Sequence, residues 1–221
     1  MLAKELISDV VPVIRTSETG TKALNWMEIF RVSHLPVVNN EDFLGLISDT
    51  DIYNLNLPDE PIGAHPLSLM RPFVYDYQHI YEVVDLVSRL KLTIVPVLNE
   101  NKQYVGCITL HDLVAHFSEI TAASEPGGII VLEMNIHDYS LSEIAQIVEG
   151  NDIKILSLYV SSHKDSTKIE VTLKLNTNNL SGLIQALERY NYSIKASFLD
   201  DERLEFFYQD RFDSFMNYLD V

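Results

Sequence analysis

Along the chain, apolar positions alternate between strand-like and helix-like spacing, and the alternation occurs twice. In "PVVNNEDFLGLIS" (36–48) two apolar runs flank an Asn/Glu/Asp turn, the pattern of a β-hairpin, and "PVLNENKQYVGCIT" (96–109) repeats it. Upstream of the first hairpin, Ala23, Leu24, Met27 and Phe30 recur at helical spacing, and so do Val83, Val84, Leu86, Val87 and Leu90 upstream of the second. Pro12 and Pro72, and Pro36 and Pro96, lie 60 residues apart, whereas Gly45 and Gly106, and Asp51 and Asp112, lie 61 apart, so one residue separates the two hairpin loops. Each copy therefore predicts strand, helix, two strands and helix. Between the copies, "NLPDEPIGAHPLSL" is punctuation, with Pro58, Pro61, Gly63 and Pro66.

After "SEITAASEPGG" no proline appears, and the pattern becomes strand, helix, strand, strand, helix, strand. That order predicts a ferredoxin-like sandwich, two helices on one face of an antiparallel sheet. The last stretch places Leu204, Tyr208, Phe212, Phe215 and Leu219 on one side of an amphipathic helix in need of a partner surface. The expected division is 1–60, 61–122, 128–198 and a C-terminal helix over 199–221, an α+β protein throughout.

Composition narrows the function. The chain has 221 residues, 47% of them hydrophobic, enough to bury real cores. A net charge of −16 is shared evenly, with 8 basic and 16 acidic residues in 1–124 and the same numbers in 125–221. Without clustered Lys and Arg, nucleic acid and anionic membrane are not expected as partners. No membrane span or signal peptide is legible, and cytoplasmic residence is expected. The single cysteine, Cys107, sits in an apolar strand and reads as a buried thiol.

Candidate chemistry lies in the duplicated corner, "GLISDTD" (45–51) and "GCITLHD" (106–112). Ser48 and Thr109 open helices, where backbone amides and a partial positive charge receive an anion or a hydroxyl, and Asp51 and Asp112 follow three residues on. A carboxylate there can accept both hydroxyls of a ribose diol. The same residues are also preferred helix caps, selected at such a corner with no ligand at all.

At Pro36/Gly45/Ser48/Asp51 and Pro96/Gly106/Thr109/Asp112 the sequence resembles a tandem CBS-domain pair over residues 7–118. The resemblance implies two β-α-β-β-α units with two clefts, in which an adenosyl ligand (AMP, ATP, adenosine or S-adenosylmethionine) is held and no cofactor is required. It implies ribose contact by Asp51 and Asp112, and phosphate or ribose contact by Ser48 and Thr109. Backbone groups at His34, Leu35, Ile94 and Val95 are implied to meet the adenine edge. Asp49 stands where phosphate-binding members more often carry a basic or neutral residue, and His111 is read as its counterpart in the second corner, where a protonated imidazole favours an anion. The second corner is thus the expected nucleotide site.

The C-terminal half is similar to an ACT domain, though Tyr139 and Ser140 replace the glycine of its amino-acid-binding loop, which leaves packing and dimerisation as its expected task. Asp138, Ser140 and Glu143 read as capping of the helix that follows. A CBS pair followed by an ACT-like domain resembles the acetoin utilisation protein family. The implied function is ligand-sensing regulation by a homodimer, with a protein target. The alternative is a non-catalytic interaction scaffold with no bound nucleotide. An enzyme is not expected: the seven histidines form no metal-binding spacing, and no nucleophile elbow or phosphate loop is present.

Overall fold

In a computed structural model, which describes residues 1–55, 58–65, 69–162 and 167–199, the chain forms two units, Met1–His116 and Phe117–Val221. The first contains α1 (Gly20–Phe30), β1 (His34–Asn39), β2 (Asp42–Ser48), α2 (Asp49–Tyr53), β3 (Val74–Tyr75), α3 (Ile80–Leu90), β4 (Ile94–Leu98) and β5 (Tyr104–Thr109), followed by α4 (Leu110–Ile120), which begins in it. The two copies match in detail. Both hairpins are antiparallel, and both shift register once, between Val37 and Val38 and between Val97 and Leu98. In the second copy β3 pairs parallel with β4 through Val74↔Val97. In the first, the corresponding strand contracts to one parallel bridge, Ile14↔Val37.

The helices begin and end alike. Thr19 caps α1 by accepting the Lys22 amide, and His79 caps α3 by accepting the Tyr81 amide. Each helix stops at a cation in left-handed backbone, Arg31 (φ 57°) and Lys91 (φ 53°). Ala23, Met27 and Val83 turn into one core with Leu35, Val37, Ile47, Ile94, Val95 and Ile108, as the helical spacing predicts.

Gly45 (φ 149°) and Gly106 (φ 154°) let a second segment cross each hairpin. A Cβ on Gly106 would lie 2.4 Å from Ile7 Cγ2, and one on Gly45 would lie 2.6 Å from Leu69 Cβ. The crossings are pinned by Ser8 N–H on the Cys107 carbonyl (2.8 Å) and Leu46 N–H on the Met70 carbonyl (2.8 Å).

The second unit contains β6 (Ile129–Asn135), α5 (Leu141–Glu149), β7 (Ile155–Ser162), β8 (Lys168–Leu175), α6 (Ser181–Arg189) and β9 (Ser193–Phe198). Its sheet runs β7-β8-β6-β9, with every neighbouring pair antiparallel. This is the ferredoxin-like order expected from the sequence. Ile130, Leu132, Val171 and Leu173 on one face of the sheet meet Ile144, Val148, Leu183 and Leu187 of the two helices. The aromatic stripe expected over 204–219 lies outside the described residues.

Candidate functional site

Both corners fold as the capping chemistry of their residues dictates. Asp51 Oδ2 accepts the Ser48 amide (2.8 Å) and hydroxyl (2.7 Å), while Asp51 N–H donates to Ser48 Oγ at 3.1 Å. In the second corner Thr109 Oγ1–H donates to Asp112 Oδ2 (2.6 Å), and Asp112 N–H donates back to Thr109 Oγ1 (3.0 Å). Each carboxylate binds its corner through one oxygen. Since a carboxylate offers about four lone-pair sites, capping and gripping a diol are compatible at Asp112. The Thr109 hydroxyl, by contrast, is committed as both donor and acceptor within the cap.

The corresponding backbone bonds correct one expectation. Asp49 N–H donates to the Ser33 carbonyl (3.1 Å) and Leu110 N–H to the Thr93 carbonyl (2.9 Å). Asp49 therefore corresponds to Leu110, and His111 corresponds to Thr50, because the two corners run 61 residues apart from their glycines onward. The two corners still differ in charge, but through Asp49 against an apolar Leu110.

A cleft of about 530 Å³ opens beside the second corner. Thr109, Leu110, His111, Asp112 and Val114 form one wall. Phe30, Arg31 and Val32, at the end of α1, stand with Thr93 and the N-terminal Ser8, Val10 and Val11 in the rest of the lining. Crossing at Gly106 is what carries Ser8, Val10 and Val11 there. The left-handed cap places Arg31, a cation in a strongly acidic chain, in the same lining.

Of the residues expected to meet a ligand, this cleft gathers Thr109, His111 and Asp112. Ser48 and Asp51 belong to the other corner. Leu35, Ile94 and Val95 are fully buried in the core, and their backbones pair in the hairpins as Leu35↔Ile47, Ile94↔Thr109 and Val95↔Ile108. His34 bonds Thr93 instead of lining the cleft, with Nδ1 3.0 Å from Thr93 Oγ1. Burial lowers the His34 pKa below that of an ordinary histidine, against the opposing pull of Asp49 and Asp51. Sequence reasoning missed Arg31, Val32 and the Ser8–Val11 segment. The signal for the last was Gly106, which admits a crossing chain.

Cys107 is fully buried, and burial pushes its thiol up to about 11. In the second unit, Ser140 caps α5 by accepting the Glu143 amide (3.4 Å), as the sequence suggested. Asp138 instead accepts from Asn135 Nδ2 (3.0 Å) in the preceding turn. A cleft of about 630 Å³ there is lined by Glu133, Asp138, Glu143, Lys168 and Tyr192 among others, and Lys168 is held by Glu133 at 2.7 Å. Among the described residues no cluster of three or more His, Cys, Asp or Glu could hold a metal ion, and no helix is long and apolar enough to cross a membrane.

Comparison with known proteins agrees with the duplicated architecture. An inosine-5'-monophosphate dehydrogenase from Methanocaldococcus jannaschii is 24% identical over 158 residues, which are 69% of this chain and 31% of that enzyme's length. A CBS domain pair/ACT domain protein from Thermotoga maritima is 22% identical, with a TM-score of 0.48 over 54% of this chain and 98% of that one. CBSX2, solved in complex with AMP, is 18% identical, with a TM-score of 0.47 over 54% of this chain and 97% of that one. The model of the CBS domain matches residues 3–56 and again 68–119, so the chain carries two CBS domains in tandem.

Proposed function

We propose that this protein is a non-catalytic regulatory sensor that binds an adenosyl compound in the cleft beside Thr109 and Asp112. The observation that carries this reading is one opening lined together by Asp112, Arg31 and the apolar Val10, Val11 and Val32. The chemistry suits a nucleotide: Asp112 Oδ1 for the ribose diol, Arg31 and His111 for phosphate, and the valines for a purine face. At about 530 Å³ the cleft is within the ordinary size of small-molecule sites. The first corner, with Asp49 beside it, suits an uncharged nucleoside better than a phosphate.

Calorimetry and thermal melts with AMP, ADP, ATP, adenosine, S-adenosylmethionine and NAD test the reading. A true ligand at a hundredfold excess over its Kd stabilises the folded protein by about 2.7 kcal/mol. No response from any of these at millimolar concentration would sink it. Asp112→Ala is expected to weaken binding about tenfold to a hundredfold while costing the α4 cap about 1 kcal/mol.

An interaction scaffold is the second reading. It is favoured by the completed caps at both corners and by an exposed apolar stripe of Leu110, Val114, Phe117 and Ile120 along α4. Under this reading Asp112→Ala lowers the melting temperature and no nucleotide restores it. Both readings include a homodimer, to be checked by sedimentation equilibrium, and a protein target. The ferredoxin-like unit behind a CBS pair supports the arrangement of the acetoin utilisation proteins, with the second unit acting as an ACT-like module. A lone, buried thiol fits a cytoplasmic setting.

A further inference from the structure

Ser33 and Thr93 hold corresponding places 60 residues apart, but the next residue is His34 in one copy and Ile94 in the other. The approximate symmetry of the pair is broken where the two copies touch. Thr93 Oγ1 accepts the Ser33 amide at 3.0 Å and lies 3.0 Å from His34 Nδ1. The Thr93 amide reaches the same Nδ1 at 3.4 Å. A backbone amide can only donate, so Nδ1 is the unprotonated nitrogen, the ring hydrogen is on Nε2, and the Thr93 hydroxyl donates to Nδ1 as well. Thr93 in turn lines the cleft that holds Thr109 and Asp112.

The charges that act on the ring are Asp49 and Asp51, from the corner after the paired strand β2, and both favour the imidazolium. Ser48, opposite His34 in the hairpin, and Thr93, from the second copy, are uncharged. Burial opposes the aspartates and prevails, keeping the ring neutral near neutral pH.

We propose that His34 is a proton-sensitive positioning residue for the cleft: a proton taken up at Nδ1 displaces the Thr93 amide and turns the Thr93 hydroxyl hydrogen from the ring toward the cleft. The Thr93 oxygen then accepts from both the imidazolium and the Ser33 amide, and its O–H is free to donate to an acceptor on a bound nucleoside. Binding and protonation become mutually favourable, so affinity rises as pH falls. That ligand-side consequence rests on the nucleoside reading above, whereas the exchange at Thr93 does not.

The test is an NMR titration of the full chain from pH 8 to 4 in a His111→Gln background, which silences the histidine that lines this cleft. The Thr93 amide signal is expected to move with the midpoint of the His34 ring protons, and to stay still in His34→Gln. A Thr93 signal that is flat, or that follows another group's midpoint, overturns the proposal, and this comparison needs no His34 variant to fold. Calorimetry with adenosine, which carries no phosphate to titrate, is expected to show proton uptake on binding and several-fold tighter binding at pH 5.5 than at 7.5. Binding that is independent of pH would equally overturn it. A coupled Thr93 signal with no adenosine bound at any pH supports the switch and removes the nucleoside reading. Binding beside a flat Thr93 signal does the reverse.

Discussion

At the residue scale, what separates a ligand site from a helix cap is how many acceptors and charges each side chain has left once the cap is made. Asp112 keeps one carboxylate oxygen outside its cap, and the cation that completes the cleft, Arg31, comes from a helix end that no corner motif contains. Arg31→Gly tests that cation cleanly. Glycine takes the left-handed backbone without strain, offsetting the lost cation at the helix end, so stability should change by less than about 1 kcal/mol. AMP affinity should fall about tenfold or more while adenosine affinity holds, since one charge-assisted bond is worth roughly 1.5–3 kcal/mol. An equal loss for both compounds would place Arg31 away from the phosphate. His34 sets a pH dependence of stability. Its folded pKa lies below the unfolded value, so the unfolded chain takes up the proton first as pH falls below about 6.5. Stability should be intact above that pH and decline on acidification, and melts of His34→Gln should decline less. Cys107, buried and with its thiol pushed up to about 11, should react with a thiol reagent only at the rate of unfolding. Rapid labelling of the native protein would contradict the burial.

At the element scale, each hairpin is a platform crossed by a segment from outside it, and the crossing requires glycine. Gly106→Ala would drive a Cβ into Ile7 and force a left-handed residue to carry a side chain, a cost of roughly 1–3 kcal/mol. The expected result is a lower melting temperature together with weaker nucleotide binding, because Ser8, Val10 and Val11 are carried to the cleft by that crossing. A stable variant with unchanged binding would show that the N-terminal segment is not part of the site. The hairpins and the five longer helices, α1, α3, α4, α5 and α6, were legible because their apolar period decides which face is buried. The short strand expected at the start of the first copy is reduced to a single parallel bridge at Ile14, an extent that periodicity does not fix for so short a segment. The adenine contacts expected at Leu35, Ile94 and Val95 fall on hairpin strands whose side chains are buried in the core.

At the scale of the whole molecule, a net charge of −16 spread over both halves is a standing self-repulsion, screened over about 10 Å at 0.1 M salt. Raising salt from about 20 to 200 mM should therefore raise the melting temperature, as read by calorimetry. A fall would mean that specific ion pairs such as Lys168–Glu133 outweigh the general field. The sequence by itself determined the duplication, the order of elements in both units and the paired corners, because these follow from local period, turn chemistry and capping, which neighbouring residues settle among themselves. Only the tertiary structure decided that a cleft opens beside the second corner, that Arg31 and the Ser8–Val11 segment line it, and that His34 bonds across to Thr93. Those facts depend on which distant segments a glycine allows to cross and on where two copies of one motif depart from each other's symmetry, and neither is written in the spacing of a single stretch.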